Sequence, residues 1–366
     1  MPITSRIYNF AAGPAVLPMP VLEEIQRDLI ALPGVGMSIL EISHRSKTLE
    51  SIMAQAETDI RALADIPDNY RVLFLQGGAS LQFSMVPMNL LDAGLVADYI
   101  DAGSWAEKAI DEARKVGQVH IAASTKAERY ARIPEQREMT FSPGAAYVHI
   151  TSNNTIEGTQ YRRLPDVGDV ALVSDTSSDM FSRPLDIRRH ALVYAGAQKN
   201  MGPAGVTLVI IRDDLVRRAA ARKSSLPTMM SYAVAAEHGS LYNTPPVFAI
   251  YALGLVMKWL LAQGGLVAIE RVNERKAATL YAEIDRTGFY RGTAAAADRS
   301  RMNVTFRLAT EDLEKRFVAE ATAAGLDGLK GHRAVGGMRA SIYNAFPENG
   351  VAALVDFMKE FERRHG

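Results

Sequence analysis

The chain has 366 residues, of which 48% are hydrophobic and 22% charged, a composition typical of folded globular proteins. Its 41 basic and 41 acidic side chains give a formal charge of zero, which argues against a nucleic-acid surface or a polybasic membrane anchor. Cysteine is absent, which excludes disulfides, thiolate metal sites and cysteine nucleophiles. The N-terminal MPITSRIYNF lacks the apolar core of a signal peptide, and no apolar run is long enough to span a bilayer, so a cytoplasmic protein is expected.

Strands and helices are predicted to alternate through most of the chain. Apolar residues at helical spacing between Leu49 and Leu63 indicate an amphipathic helix, and the strand Arg71–Leu75 is followed by a helix over 79–91. Six further strands are predicted at 96–101, 119–123, 147–151, 170–174, 191–194 and 206–212, with a helix over 105–116. This pattern is typical of an α/β protein with a mostly parallel seven-stranded sheet covered on both faces. We therefore expect a large α/β domain over 16–259.

The remaining segment has a different pattern and predicts a smaller C-terminal α+β domain over 260–366. Helices are expected over 265–287, 311–324 and 351–362, with strands at 302–308 and 339–343. The N-terminal arm, residues 1–15, is expected to pack on this smaller domain.

Lys199 lies just after an apolar strand and before a Gly-Pro turn, in HALVYAGAQKNMGPAG (190–205). Partial burial at the rim of a sheet lowers the pKa of an amine, and such a lysine can act as a nucleophile and form a Schiff base. An ordinary lysine reaching solvent from a strand end is the alternative. Asp175 ends the strand before it and precedes Lys199 by 24 residues, about one crossover, so the two are expected on neighbouring strands. A carboxylate there suits pyridoxal phosphate chemistry, although a helix cap is also possible for Asp175 alone.

Other polar residues follow strands of the same sheet, where ligands of open α/β sheets bind. Gln76-Gly77-Gly78-Ala79-Ser80 opens a helix and could form a phosphate cradle or a plain tight turn. Trp105 could stack on a flat ring or belong to the core, and Thr155 could bond a ring substituent or form a turn. The pairs His44-Arg45 and His332-Arg333, together with Arg339, would favour an anionic substrate if they converge.

Six sequence blocks, in order, are similar to those of phosphoserine aminotransferases, which are class V aminotransferases of the fold-type-I pyridoxal phosphate enzymes. They are Asn9–Ala15 (NFAAGPA), Glu41–Ser46 (EISHRS), Ala195–Asn200 (AGAQKN), Asn243–Pro246 (NTPP), Lys330–Arg333 (KGHR) and Gly336–Asn344 (GGMRASIYN). The resemblance runs nearly end to end. It implies a pyridoxal 5′-phosphate enzyme that transfers the amino group of L-glutamate to 3-phosphohydroxypyruvate by ping-pong kinetics.

The resemblance also implies a role for each matching residue. Lys199 would form the Schiff base, Asp175 would pair with the pyridine nitrogen, Trp105 would stack on the ring and Thr155 would contact its hydroxyl side. The cofactor phosphate would be held by Ala79, Ser80 and Gln198, and by Asn243 and Thr244 of a neighbouring subunit in an obligate homodimer. Arg339 would bind the substrate α-carboxylate, while His44, Arg45, His332 and Arg333 would receive the substrate phosphate or the side-chain carboxylate of glutamate. No metal is implied.

Several alternatives stay open from the sequence. The Ala79-Ser80 step departs from the Gly-Arg-Gly or Gly-Thr-Gly found in other members, so either the Ser80 side chain or only the backbone could hold the phosphate. A serine–glyoxylate-type aminotransferase would need no second phosphate site, and a nucleotide-binding or dehydrogenase domain would give Lys199 no role. The last alternative is that the chain is a non-catalytic relative of these enzymes, and the intact Lys199 and Asp175 pair argues against it. Use of the 4-phosphohydroxy-L-threonine substrate of pyridoxine synthesis is undecided by the sequence.

Overall fold

The computed structural model describes residues 6–366, so the first five residues of the predicted N-terminal arm lie outside it. The strands are β1 (Tyr8–Asn9), β2 (Tyr70–Leu75), β3 (Val96–Asp101), β4 (Gln118–Ser124), β5 (Val148–Thr151), β6 (Asn153–Asn154), β7 (Thr159–Gln160), β8 (Leu172–Asp175), β9 (Leu192–Gly196), β10 (Thr207–Arg212), β11 (Arg291–Gly292), β12 (Asn303–Arg307), β13 (Leu326–Asp327) and β14 (Met338–Ser341). The helices are α1 (Met19–Asp28), α2 (Lys47–Ala64), α3 (Gly78–Leu90), α4 (Ser104–Arg114), α5 (Asp213–Ala220), α6 (Tyr232–Glu237), α7 (Val247–Ala262), α8 (Gly265–Ile284), α9 (Glu311–Ala323) and α10 (Glu348–His365).

Seven strands form the central sheet in the order β2-β10-β9-β8-β5-β3-β4. Only β10 runs against the others, because it pairs antiparallel with both β2 and β9 while the remaining pairs are parallel. The predicted mostly parallel seven-stranded sheet is thus confirmed. The carboxyl ends of β2, β3, β5, β8 and β9 consequently meet at one edge, which gathers the polar residues that follow them.

Helices cover both faces of this sheet. One apolar core joins the sheet to α1, α2 and α7, and the other joins it to α3, α4 and α5. The sequence patterns did not predict α1 or α7 as helices. The reason for α7 is burial on nearly all sides: Ile250, Leu253, Met257 and Leu260 are each fully enclosed, so no polar stripe marks a helical period.

The C-terminal part contains a three-stranded antiparallel sheet, β11-β12-β14, packed against α8, α9 and α10 around its own apolar core. The N-terminal arm contributes to this core. Tyr8 and Asn9 pair in parallel with Leu326 and Asp327, and Phe10 is fully buried there. The predicted domain boundary at 259–260 falls in the last turn of α7, two residues before a turn leads into α8.

No single helix within residues 6–366 combines the length and the apolar character needed to cross a membrane. The helices α7 and α8 meet that requirement only when taken together, and they are bent by 84° with respect to each other.

Candidate active site

Lys199 lies in the turn that follows β9, and its side chain is half-buried. Its Nζ donates a hydrogen bond to Thr155 Oγ1 at 2.7 Å. Burial lowers the pKa of Lys199 to about 8. The nearby Asp175 carboxylate opposes this shift, and the positive charge of Arg339 adds to it. An amine with this pKa is about half neutral at pH 8, so it can act both as a nucleophile and as a proton carrier near physiological pH.

Asp175 ends β8 and is in register with Tyr194 of β9, the strand that leads to Lys199. Its carboxylate is 4% exposed, and Oδ1 accepts from the backbone nitrogen and the hydroxyl of Ser177 at 2.9 and 2.6 Å. Burial raises the pKa of Asp175, while the Lys199 ammonium and the Ser177 donors lower it. Within residues 6–366, Oδ2 makes no hydrogen bond, so this oxygen can accept from a bound group.

Trp105 is the second residue of α4, and its indole lies beside the lysine. The ring centroid is 5.3 Å from Lys199 Nζ, and the indole Nε1 is buried without a partner among the described residues. Thr155 connects Lys199 to the guanidinium of Arg339. Its carbonyl oxygen accepts a hydrogen bond from Arg339 at 3.2 Å, and its hydroxyl accepts one from Lys199. Arg339 is partly buried, its Nε has no partner in the described chain, and burial lowers its pKa.

The start of α3 provides the phosphate-binding candidate. Gly77 and Gly78 adopt φ values of 86° and 65°, which favour glycine, and no side chain caps the helix within the described residues. Ala79 and Ser80 therefore present backbone N–H groups at the positive end of the helix. Gln198 lies against Gly196 at the end of β9, where a Cβ on the glycine would meet Gln198 Oε1 at 2.7 Å.

A cavity of about 600 Å³ extends from this cluster between the two parts of the chain and is lined by Arg339 and His332, among others. Partial burial lowers the pKa of His332, and the positive charges of Arg339, Lys108 and Arg333 lower it further. A second groove of about 500 Å³ is lined by both His332 and Arg333. The structure therefore gathers Lys199, Thr155, Trp105, Asp175, Arg339 and His332 at one edge of the sheet, with Arg333 beside them.

The comparisons with known proteins agree with this geometry. Residues 7–354 match the family described as aminotransferase class V. A phosphoserine aminotransferase from Desulfosudis oleivorans is 56% identical over 366 residues, covering 100% of both chains. The chain belongs to the phosphoserine aminotransferase family. The family predicted from the six sequence blocks is thereby confirmed.

Solved structures of phosphoserine aminotransferases have the same fold. One from Bacillus circulans subsp. alkalophilus has 50% identity and a TM-score of 0.96, covering 99% of this chain and 100% of its own. Another, from Trichomonas vaginalis, was solved with PLP bound and has 37% identity and a TM-score of 0.93, covering 97% and 100%. The predicted fold type I is confirmed by this likeness.

Four residues with roles implied by the phosphoserine aminotransferase resemblance lie apart from the Lys199 cluster. Thr244 Oγ1 is 3.1 Å from His44 Nδ1, and Arg45, Asn243 and Thr244 are exposed. Within residues 6–366, none of the four hydrogen-bonds to Lys199, Thr155 or Asp175. They form a separate polar patch on the outer surface, which we call the Thr244 patch.

The sequence interpretation missed Glu157, which lies in the same cavity wall as Arg339. Its Oε1 accepts from the nitrogen and hydroxyl of Ser104 at 3.0 and 2.5 Å, which fixes the start of the helix that carries Trp105. Its Oε2 is buried without a partner among the described residues, and burial raises its pKa. The sequence signal that could have identified Glu157 as a site residue is its position two residues after Thr155, beyond a strand end. Ser177, the donor to Asp175, was missed although it lies two residues after a candidate.

Proposed function

We propose that this chain transfers the amino group of L-glutamate to 3-phosphohydroxypyruvate, giving O-phospho-L-serine and 2-oxoglutarate, with pyridoxal 5′-phosphate as cofactor. The observation that carries the proposal is full-length identity of 56% to a phosphoserine aminotransferase combined with an intact Lys199 and Asp175 pair at adjacent strand ends. The enzyme belongs to the phosphoserine transaminases (EC 2.6.1.52).

The residues present fit this cofactor. Asp175 Oδ2 makes no hydrogen bond in the described chain and suits a ring N–H, while Lys199 would hold the cofactor covalently. Trp105 offers a flat ring, Thr155 a hydroxyl, and the uncapped start of α3 the N–H groups that a phosphate needs. When bound, pyridoxal phosphate supplies an electron sink for the carbon adjacent to the substrate carboxylate. Ala79, Ser80 and Gln198 are the candidates for holding its phosphate in this chain.

The side chains of this chain perform the remaining tasks. Arg339 offers a guanidinium beside Thr155 for the substrate α-carboxylate, and two parallel hydrogen bonds would fix the orientation of the α-carbon. Lys199, on the other side of Thr155, would remove and return the proton at that carbon, because its lowered pKa suits a general acid–base. Arg333 adds positive charge at the second groove, and His332, whose pKa is lowered there, adds a neutral imidazole that can donate a hydrogen bond to the distal anion of either substrate.

We further propose a homodimer in which the Thr244 patch of one subunit completes the site of the other. The support is geometric: Asn243 and Thr244 are exposed, and within residues 6–366 neither hydrogen-bonds to Ala79, Ser80 or Gln198 of its own chain. Apolar side chains adjoin this patch, with Tyr242 50% and Met229 47% exposed. Such exposed apolar groups rimmed by polar residues are typical of subunit interfaces. Arg45 and His44 of the partner subunit would then supply a guanidinium and an imidazole to the substrate phosphate.

Subunit mixing tests the shared site. Lys199→Ala subunits and Asn243→Ala/Thr244→Ala subunits should each have little activity alone, but a mixed dimer would carry one site with neither change. Random reassortment at equal amounts should therefore restore about one quarter of the native sites, measured as phosphoserine formation after dissociation and reassembly. Mixing each variant with itself is the control. Absence of recovery in mixed dimers, verified by tagged-subunit purification, would contradict a site shared between subunits.

A comparison of amino acceptors tests the proposed function. With glutamate as donor, kcat/KM for 3-phosphohydroxypyruvate should exceed that for glyoxylate by at least ~10³-fold, because a built anion site rejects an analogue that leaves its cations unpaired. Coupled assay of 2-oxoglutarate formation gives both values. Equal use of the two acceptors would instead support a glyoxylate-type aminotransferase. The phosphorylated keto acid corresponding to 4-phosphohydroxy-L-threonine, tested in the same assay, decides the second activity that the sequence left undecided.

A further inference from the structure

A buried polar seam connects the helix α8 to the turn that carries Lys199. The seam consists of Lys276 and Asn273 on α8, Asn344 after β14, and Asn200 beside Lys199. Lys276 and Asn273 are each 1% exposed, and Asn344 and Asn200 are each 6% exposed. None of the four takes part in the acid–base or anion-binding roles described above, so their burial requires a separate reason.

Lys276 occupies the most unusual position in the seam. Its Nζ donates to three carbonyl oxygens: those of Ile342 at 3.0 Å, Tyr343 at 2.7 Å and Phe346 at 3.1 Å. No carboxylate within residues 6–366 lies close enough to form an ion pair with it. Burying an ammonium without a counter-ion is unfavourable, and well-placed carbonyl dipoles only partly offset that loss. An apolar residue would fill the space at a lower desolvation cost. What only the lysine provides is the three hydrogen bonds to backbone carbonyls.

The three carbonyls belong to residues 342–346, which follow Arg339 in the chain and include Asn344 of the seam. Arg339 lies in β14, which ends at Ser341, so the Lys276 contacts begin one residue after the strand. The Asn344 nitrogen donates to Asn200 Oδ1 at 2.9 Å, and Asn200 is the residue next to Lys199.

Asn273 and Asn344 attach the same segment to the large domain at a second point. Asn273 Nδ2 donates to Asn344 Oδ1 at 2.8 Å and to the Ser182 carbonyl at 3.0 Å. Asn344 Nδ2 donates to the Phe181 carbonyl at 2.8 Å. Both carbonyls lie in the loop that follows Asp175. The segment 342–346 is therefore held between α8 on one side and the loops bearing Lys199 and Asp175 on the other.

We propose that Lys276 is a positioning residue that holds the 342–346 segment in place and thereby aligns Arg339 with Lys199. This inference rests on the proposed function, in which Arg339 binds the substrate carboxylate and Lys199 moves the α-proton. Lys276 touches neither substrate nor cofactor in this arrangement. Its effect passes through the backbone of the segment and through the contact between Asn344 and Asn200.

The test replaces Lys276 with methionine, which is unbranched and one atom shorter and removes the ammonium with its three hydrogen bonds. The Kd for glutamate, titrated by its effect on the absorbance band of the cofactor-loaded enzyme, should rise about 10-fold, since small misplacement of a binding group has effects of this size. Amide hydrogen exchange in 338–346 should also accelerate.

The control is Leu280→Ala, one turn later on the same helix, where a fully buried leucine packs in the apolar core of the C-terminal part. It should lower Tm but leave the Kd for glutamate close to the wild-type value, because no polar contact of the 342–346 backbone is removed. A Lys276→Met enzyme that behaves as Leu280→Ala does would overturn the inference.

If Lys276→Met does not fold, Asn273→Ala takes its place, because Asn273→Ala removes the second attachment of the same segment. It should raise the Kd for glutamate at least 3-fold, and an unchanged Kd would overturn the proposal. If the wild-type band does not respond to glutamate at all, the proposed function fails together with this inference. A normal wild-type response with unchanged variants contradicts the inference alone.

Discussion

Replacing Lys199 with alanine is expected to lower kcat for transamination by at least ~10⁴-fold. The substitution removes both the amine that would hold the cofactor and the base that would move the α-proton, and no other lysine contacts Thr155 in the described chain. Phosphoserine formation from glutamate and 3-phosphohydroxypyruvate measures the loss. The fold should survive, because the side chain is only half-buried and makes a single hydrogen bond.

Lys115→Ala provides the matched control for this prediction. Lys115 directly follows α4, and its ammonium pairs with Glu112 on the surface at 2.6 Å. Loss of an exposed ion pair of this kind has a small effect on stability and should leave kcat near the wild-type value. Substantial transamination by the Lys199→Ala enzyme, with exogenous amines excluded, would reject the assignment of Lys199.

The Asp175→Asn enzyme is expected to lose about 10²–10³-fold in kcat. Asparagine keeps the shape, and its oxygen can still accept from Ser177, so the loop should stay folded. The change replaces the free Oδ2 by an NH₂ group, which cannot accept from a ring N–H, and it removes the buried negative charge. The pKa of Lys199 should also fall below its value of about 8, because the Asp175 carboxylate raises it.

Two measurements check the Asp175 prediction. Steady-state kinetics gives kcat, and the pH dependence of cofactor uptake by the apoenzyme reports the pKa of Lys199, since the neutral amine is the reactive form. Uptake should increase as the pH rises through the pKa, and this rise should occur at lower pH in the variant. Asp169→Asn, an exposed aspartate before β8, is the control. Wild-type kcat in the Asp175→Asn enzyme would contradict an electrostatic role for this carboxylate.

The cofactor side of the site was predictable because its candidates follow strands of one sheet. Apolar strands ending before Asp175 and Lys199, separated by about one crossover, predict adjacent parallel neighbours, and β8 and β9 are paired in parallel. Trp105, Thr155 and the Gly77-Gly78 turn were found by the same reasoning. The detailed role of each residue came from the resemblance to phosphoserine aminotransferases, and these roles stay predictions.

Other features could not be predicted, because the sequence gives either no signal for them or a signal that fits two interpretations. The helix α7 carries no polar stripe, since it is enclosed nearly all round by the large-domain core. Glu157 and Lys276 look like surface residues in the sequence, where a charged side chain is usually solvated. Their burial depends on contacts with Ser104 and with the 342–346 backbone, which lie 53 and about 70 residues away.

The sequence by itself determined the α/β class, the alternation that builds the sheet, the family, and Lys199 with its strand-end partners. These follow from local periodicity and from motifs that persist in a linear chain. Only the tertiary structure decided that β10 runs against its neighbours, that Thr155 joins Lys199 to Arg339, and that a buried lysine supports the segment after Arg339. Such relations depend on which distant segments share the same small volume, and packing and hydrogen bonding fix this only when the whole chain is folded.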